Sequence, residues 1–95
     1  MASNKNSKIM RAEQSIQNIF LYIPDPSENK EMRFMWKSLD YILTVVNSED
    51  STYLKEITIY SLLMSFEEVF QEILNEKIEA RRWWASALNN FTKSP

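Results

Sequence analysis

The feature that constrains this chain most is a long stretch, residues 52–91, without proline or glycine. Because proline and glycine are the residue types that most often interrupt a helix, nothing in this stretch is expected to end a helix on the basis of residue type alone. One helix of this length would be about 60 Å long, whereas a compact chain of 95 residues is roughly 30 Å across. We therefore expect either one long helix that packs on another chain, or a helix that breaks near residues 75–77.

The same stretch carries an apolar stripe with helical spacing. Positions that alternate four and three residues apart lie on one face of a helix. Apart from one lysine the series is apolar, and it consists of Ile59, Leu63, Phe66, Phe70, Ile73, Lys77, Ala80, Trp84, Ala87 and Phe91. Residues 57–60 would also suit a strand by propensity. The strand is the weaker alternative, because no partner strand is evident.

Two amphipathic helices precede this stretch. The first is predicted over residues 7–23 and ends before the Pro-Asp-Pro of residues 24–26, which cannot continue a helix. The second is predicted over residues 28–46, with Ser27 as its N-cap. The inward positions are Ile9, Ala12, Ile16, Ile19, Phe20 and Ile23 in the first helix, and Met32, Met35, Trp36, Leu39, Ile42, Leu43 and Val46 in the second.

A polar segment, residues 47–51, separates the second helix from the long stretch. Ser51 or Thr52 can cap the helix that follows, and Lys55 and Glu56 are expected to face solvent. These patterns together predict an all-α fold, a small bundle of three or four helices with a long or broken C-terminal helix. Residues 8–92 would form one domain after a flexible N-terminus of residues 1–7. The over-long last segment and the surplus of apolar faces predict a homodimer.

Composition excludes most catalytic and metal chemistry. The chain contains no cysteine and no histidine, so a zinc site of the common type or a His-based catalytic triad cannot form within one chain. It contains no glycine, which phosphate-binding loops require. We predict no enzyme, no cofactor and no metal; an enzyme that uses carboxylates or lysine is the weakest alternative. Without a long apolar run or a signal segment, we expect no membrane partner and a cytoplasmic location.

The first candidate contact site lies near the end of the chain. Arg81, Arg82, Trp83 and Trp84 follow one another, and tryptophan and arginine are the residues most often found at binding hot spots. Trp84 lies on the apolar stripe, so a place in the core is the favoured interpretation for it. For Trp83 we weigh the core and a contact surface equally.

The second candidate contact site lies on the second helix. Phe34 and Tyr41 are seven residues apart and lie away from the predicted core face. We therefore predict a small protein-interaction module, which would be an adaptor, an assembly factor or an inhibitor. It would bind a protein partner through Phe34 and Tyr41 together with the four residues of the first site, 81–84. The alternative is a nucleic-acid-binding module or a ribonucleoprotein subunit, with Lys30, Arg33 and Lys37 on phosphates. The net charge of −2 makes nucleic acid the less favoured partner.

Overall fold

The described part of the chain consists of helices joined by short turns and contains no strand. The structure is a computed structural model that describes residues 4–23 and 29–92. Within these two ranges five helices follow one another: α1 (Ser7–Leu21), α2 (Lys30–Val46), α3 (Thr52–Val69), α4 (Gln71–Glu76) and α5 (Ile78–Thr92). The all-α class is confirmed. The expected three or four helices become five because the long stretch is divided into three.

Side-chain caps begin the first three helices. A side-chain oxygen of Asn6, Asn29 and Ser51 accepts a hydrogen bond from the main-chain amide three residues later in α1, α2 and α3. Such a cap satisfies one of the amides that the first helical turn leaves without a partner. The choice of Ser51 is confirmed. The start of α2 was predicted too early, because Asn29 caps it; Ser27 and the segment 24–26 lie outside the described residues.

Residues 52–91 bend twice, and neither bend uses a residue with positive φ. Phe70 has φ −102° and ψ 21° and joins α3 to α4, and Lys77 has φ −104° and ψ 80° and joins α4 to α5. The second bend lies within the region where the sequence allowed a break. The folded chain has a radius of gyration of 13.0 Å and measures 36 × 30 × 20 Å. Residues 57–60 are helical, so the strand alternative is wrong.

The apolar stripes predicted for the helices face one core. The stripe residues of α3 to α5 are buried or half-buried throughout, and Lys77 is half-buried with them. The predicted inner faces of α1 and α2 are buried in the same way, with Phe20, Met32, Trp36 and Leu43 half-buried at the edges. The hydrophobic periodicity therefore identified the core correctly.

The four longer helices pack in the order α1, α2, α3, α5, and α5 also contacts α1. The contact between α1 and α5 is the most extensive of these. Phe20 meets Trp36 edge to face, with ring centroids 4.9 Å apart, between α1 and α2. Phe34 meets Phe70 at 5.4 Å, where α2 passes the end of α3. These two ring pairs fix which side of α2 faces each neighbour.

Lys55 is fully buried, which corrects the expectation that it faces solvent. Its ammonium donates hydrogen bonds to the main-chain oxygen of Val46, at 3.0 Å, and to that of Asn4. The first bond satisfies a carbonyl at the C-terminus of α2, where a cation is favoured. The second attaches the polar N-terminal stretch to α3. The Asn6 side chain adds a 2.7 Å hydrogen bond to Glu56.

Candidate interaction surface

Phe34 and Tyr41 are both on the surface, with exposed fractions of 52% and 55%. The contact between Phe34 and Phe70 places this side of α2 next to α3. Tyr41 lies seven residues further along α2, which is two helical turns on the same side. Both aromatic side chains therefore stand at the seam between α2 and α3 and remain open to solvent.

The α3 side of this seam was not identified from the sequence. Tyr53 and Tyr60 line a shallow depression together with Phe91 of α5, so this side of α3 faces α5. The opposite side of α3 therefore lies along α2. Its exposed residues are Leu54, Ser61, Ser65 and Val69. We define the α2–α3 face as the surface formed by nine residues of these two helices. They are Lys30, Phe34, Lys37 and Tyr41 of α2, and Leu54, Ser61, Ser65, Glu68 and Val69 of α3, with Glu68 at the edge.

The α2–α3 face has large side chains on one helix and mostly small ones on the other. Phe34 and Tyr41 project from α2. On α3 the short side chains of Ser61 and Ser65 form a shallow strip in the middle of the face. The signal in the sequence was that α3 is apolar around much of its circumference, since Leu54, Ile57, Met64 and Val69 lie off its core stripe. Periodicity alone could not assign these residues to a face, because both sides of the helix carry apolar residues.

The two lysines of the face lie on α2 and its glutamate lies on α3, and Glu31 is exposed next to Lys30 on the side of α2 that faces α3. Lys30 and Lys37 are exposed and alternate with the two aromatic residues along α2, with helical spacing. Glu68 is exposed at the edge of α3, and Glu72 follows it on α4. Among the described residues the two lysines, Glu68 and Glu72 form no ion pair. Arg33 is half-buried, on the edge of the lysine stripe away from Phe34.

Trp84 is fully buried, so its side chain forms no part of any surface in this fold. Its indole Nε1 donates a 3.1 Å hydrogen bond to the main-chain oxygen of Leu63, in the middle of α3. Its ring also meets that of Phe70 at 6.5 Å. The core interpretation of Trp84 accounts for all of these contacts, and we leave this residue out of the surface proposed below.

The neighbours of Trp84 on α5 are more accessible but do not lie on the α2–α3 face. Trp83 is half-buried and packs against the edge of the core. Arg82 is exposed, and its guanidinium lies 3.3 Å from the Glu79 carboxylate. Arg81 donates a 3.4 Å hydrogen bond to the side chain of Asn75. The basic and aromatic residues that adjoin in the sequence are therefore spread around α5 and do not converge on one point.

The described residues contain no group of three or more acidic side chains placed to hold a metal ion. Two shallow depressions lie near the α2–α3 face. One is lined by Asp40, Leu43, Thr44, Asn47 and Ser48 and combines a carboxylate with amide and hydroxyl groups. The other lies at the α5 side of Glu68, which lines it together with Glu67, Gln71, Leu74, Asn75 and Arg81. No helix in the described part of the chain is long and apolar enough to cross a membrane. What the face offers to another molecule is aromatic contact area, a serine-lined low strip and charges of both signs.

Comparison of the chain with protein-family models, with curated proteins and with solved structures gives no match. The α2–α3 face is therefore the feature of this chain that points to a function.

Proposed function

We propose that this protein is a small, non-enzymatic interaction module that binds a partner protein through the α2–α3 face. It would act as an adaptor, an assembly factor or an inhibitor. A cytoplasmic location and self-association belong to the same proposal. The observation that carries it is the exposure of Phe34 and Tyr41 at 52% and 55%, two helical turns apart on one face. Aromatic side chains of this kind supply much of the binding energy of protein interfaces.

Two further observations support a protein partner over a small molecule. The exposed apolar residues Leu54 and Val69 extend the aromatic strip along the neighbouring helix. Lys30, Lys37 and Glu68 surround this strip with charge. An apolar centre with a charged rim is the usual anatomy of an interface between proteins. The face is also long and open, whereas small ligands bind in deep concave pockets.

The test compares Tyr41→Ser with Tyr53→Ser. Both tyrosines are exposed, at 55% and 71%, but Tyr53 lies on the α5 side of α3, away from the α2–α3 face. Tagged wild-type protein and both variants are used to capture partners from native lysate, and circular dichroism checks that each variant is folded. We expect a specific protein to be retained by the wild type and by Tyr53→Ser and lost with Tyr41→Ser. Equal retention by all three proteins would contradict the assignment of this face.

Nucleic-acid binding is the second candidate, and one observation favours it. Lys30, Phe34, Lys37 and Tyr41 alternate cations and aromatic rings along one stripe of α2, and single-stranded nucleic acids are bound by such combinations. Glu68 and Glu72 next to this stripe would repel phosphates. If nucleic acid is the partner, nuclease treatment of the lysate removes the captured material. Affinity for an RNA oligonucleotide would then also fall steeply with salt, and replacing both lysines by glutamine would make that dependence less steep.

A further inference from the structure

We propose that the α2–α3 face binds a second copy of this chain, in a two-fold dimer that places α2 of each copy over α3 of the other. The proposal rests on the proposed function and deepens it by naming the occupant of the face, so that the partner protein is another copy of the same chain. Because both would use the same surface, a different partner protein binds only when this dimer has dissociated. It follows from three properties of the face: where the charges lie, where the large and small side chains lie, and the register between the two helices.

Charge decides which occupant fits the face. An acidic partner would be attracted to Lys30 and Lys37 but repelled by Glu68 and Glu72, and a basic partner would meet the opposite difficulty. A second copy presents the same lysines and the same glutamates on the same face. None of the four forms an ion pair within the described residues. Like charges placed together across an interface are strongly disfavoured.

Charge also decides how the two copies are arranged. A two-fold axis perpendicular to the helices, lying in the interface, would place α2 antiparallel on α2 and α3 antiparallel on α3, so that the lysines of one copy would not face the glutamates of the other. An axis parallel to the helices, lying in the interface, places α2 of each copy against α3 of the other. This second arrangement brings lysines to glutamates twice, as two-fold symmetry requires of every contact in such an interface.

The register follows from contacts within one chain. Phe34 lies level with Phe70, and the C-terminus of α2 at Val46 lies level with Lys55. A rotation about an axis parallel to the helices leaves every residue at its own height. Lys37 of one copy therefore lies about level with Glu68 of the other, whereas Lys30 lies beyond Phe70, at the height of α4. Tyr41 lies level with the strip between Ser61 and Ser65.

Side-chain size agrees with this register. Two aromatic residues on α2 project from each copy, and the serines of α3 leave room opposite Tyr41. Large side chains opposite small ones are what close packing between helices requires. The face spans two helices about 25 Å long and about 10 Å wide, so two copies bury on the order of 1,000 Å², near the lower limit for specific interfaces. We therefore expect a dimer that dissociates on dilution.

The experiment uses sedimentation equilibrium of the full chain from about 1 μM to about 1 mM, a range that brackets weak association. The wild type is expected to pass from monomer to dimer in this range. Lys37→Glu alone and Glu68→Lys alone each place two like-charged pairs in the interface of their own homodimers. We expect each variant to raise the dissociation constant by about tenfold or more. Lys8→Glu, on an exposed lysine of α1, is the control and should leave the constant unchanged.

Mixing the two variants gives the decisive result. A heterodimer of Lys37→Glu with Glu68→Lys contains two attractive pairs, one between the two new residues and one between the two original residues. We therefore expect the equimolar mixture to associate more tightly than either variant alone, which an effect within one chain cannot produce. A wild type that stays monomeric, or a mixture no tighter than its components, would overturn the proposed dimer. Loss of a captured partner with Tyr41→Ser would still be observed if only the dimer is wrong.

Discussion

The indole Nε1 of Trp84 donates a 3.1 Å hydrogen bond to the main-chain oxygen of Leu63 and thereby joins α5 to the middle of α3. Both side chains are fully buried. Within the described residues, four bonds of this kind, from a side chain of one segment to the main chain or side chain of another, connect parts of the fold that are more than 20 residues apart in the sequence. The other three join Lys55 to Asn4, Asn6 to Glu56, and Ser15 of α1 to Ser86 of α5.

Trp84→Phe should destabilise the protein by about 1–3 kcal/mol, because the smaller ring leaves a cavity in the core and loses the hydrogen bond to Leu63. Trp83→Phe is the matched control. Since Trp83 is half-buried, we expect it to cost less than about 1 kcal/mol. Urea unfolding followed by far-UV circular dichroism gives both values. Equal losses for the two variants would mean that Trp84 is no more important to the core than its neighbour.

Lys55→Met should cost about 1–3 kcal/mol. The methionine keeps most of the packing of the lysine stem, but the carbonyl oxygens of Asn4 and Val46 lose their donor. Lys55→Ala removes the packing as well and should cost more, about 2–5 kcal/mol. Lys8→Met replaces an exposed lysine of α1, away from the α2–α3 face, and should change the free energy of unfolding by less than about 0.5 kcal/mol. A stable Lys55→Met would show that the ammonium contributes nothing to the attachment of the N-terminal stretch.

Asn29→Ala should lower stability by about 1 kcal/mol, because the amide of Met32 loses the side-chain oxygen that caps α2. Asn29→Asp supplies an equivalent oxygen and should retain the wild-type value or exceed it slightly, since a negative charge is favoured at a helix N-terminus. Thermal unfolding monitored by circular dichroism separates the three proteins. If alanine and aspartate behaved alike, the cap at Asn29 would have no energetic role.

Phe70→Ala should be the most damaging substitution at the bend between α3 and α4, with a loss of about 3–5 kcal/mol. The ring of Phe70 contacts those of Phe34, Phe66 and Trp84, at centroid distances of 5.4, 6.0 and 6.5 Å. Phe70→Leu retains apolar volume and should cost less. Near-UV circular dichroism provides a second readout, because removal of Phe70 changes the environment of Trp84. An unaltered near-UV spectrum in Phe70→Ala would contradict this arrangement of rings.

The core and the four longer helices were predictable from the sequence because apolar residues recur with helical spacing along α1, α2, α3 and α5. The solvent assignment of Lys55 failed although the signal was present. Lys55 lies one turn before Ile59 and so continues the core stripe, but the charge suggested solvent. A buried ammonium needs acceptors, and its acceptors here are main-chain oxygens of Asn4 and Val46, whose proximity depends on the tertiary fold.

The α2–α3 face was predictable only on its α2 side. Phe34 and Tyr41 are large and lie off the core stripe of a clearly amphipathic helix, so the sequence marks them. No comparable pattern in the sequence singles out Ser61, Ser65 and Val69. Their place on the face depends on which helix packs on each side of α3. The bends at Phe70 and Lys77 likewise follow from packing, because neither position has a residue type that ends a helix locally.

The extensive contact between α1 and α5 has a consequence for how the protein reaches its folded state. These are the first and the last helices of the described chain, so their pairing closes a loop that contains all the other helices. Loops of this size form more slowly than local contacts, and folding rates fall as the separation between contacting residues grows. During synthesis on the ribosome, the apolar face of α1 therefore lacks its main packing partner until α5 has been synthesised.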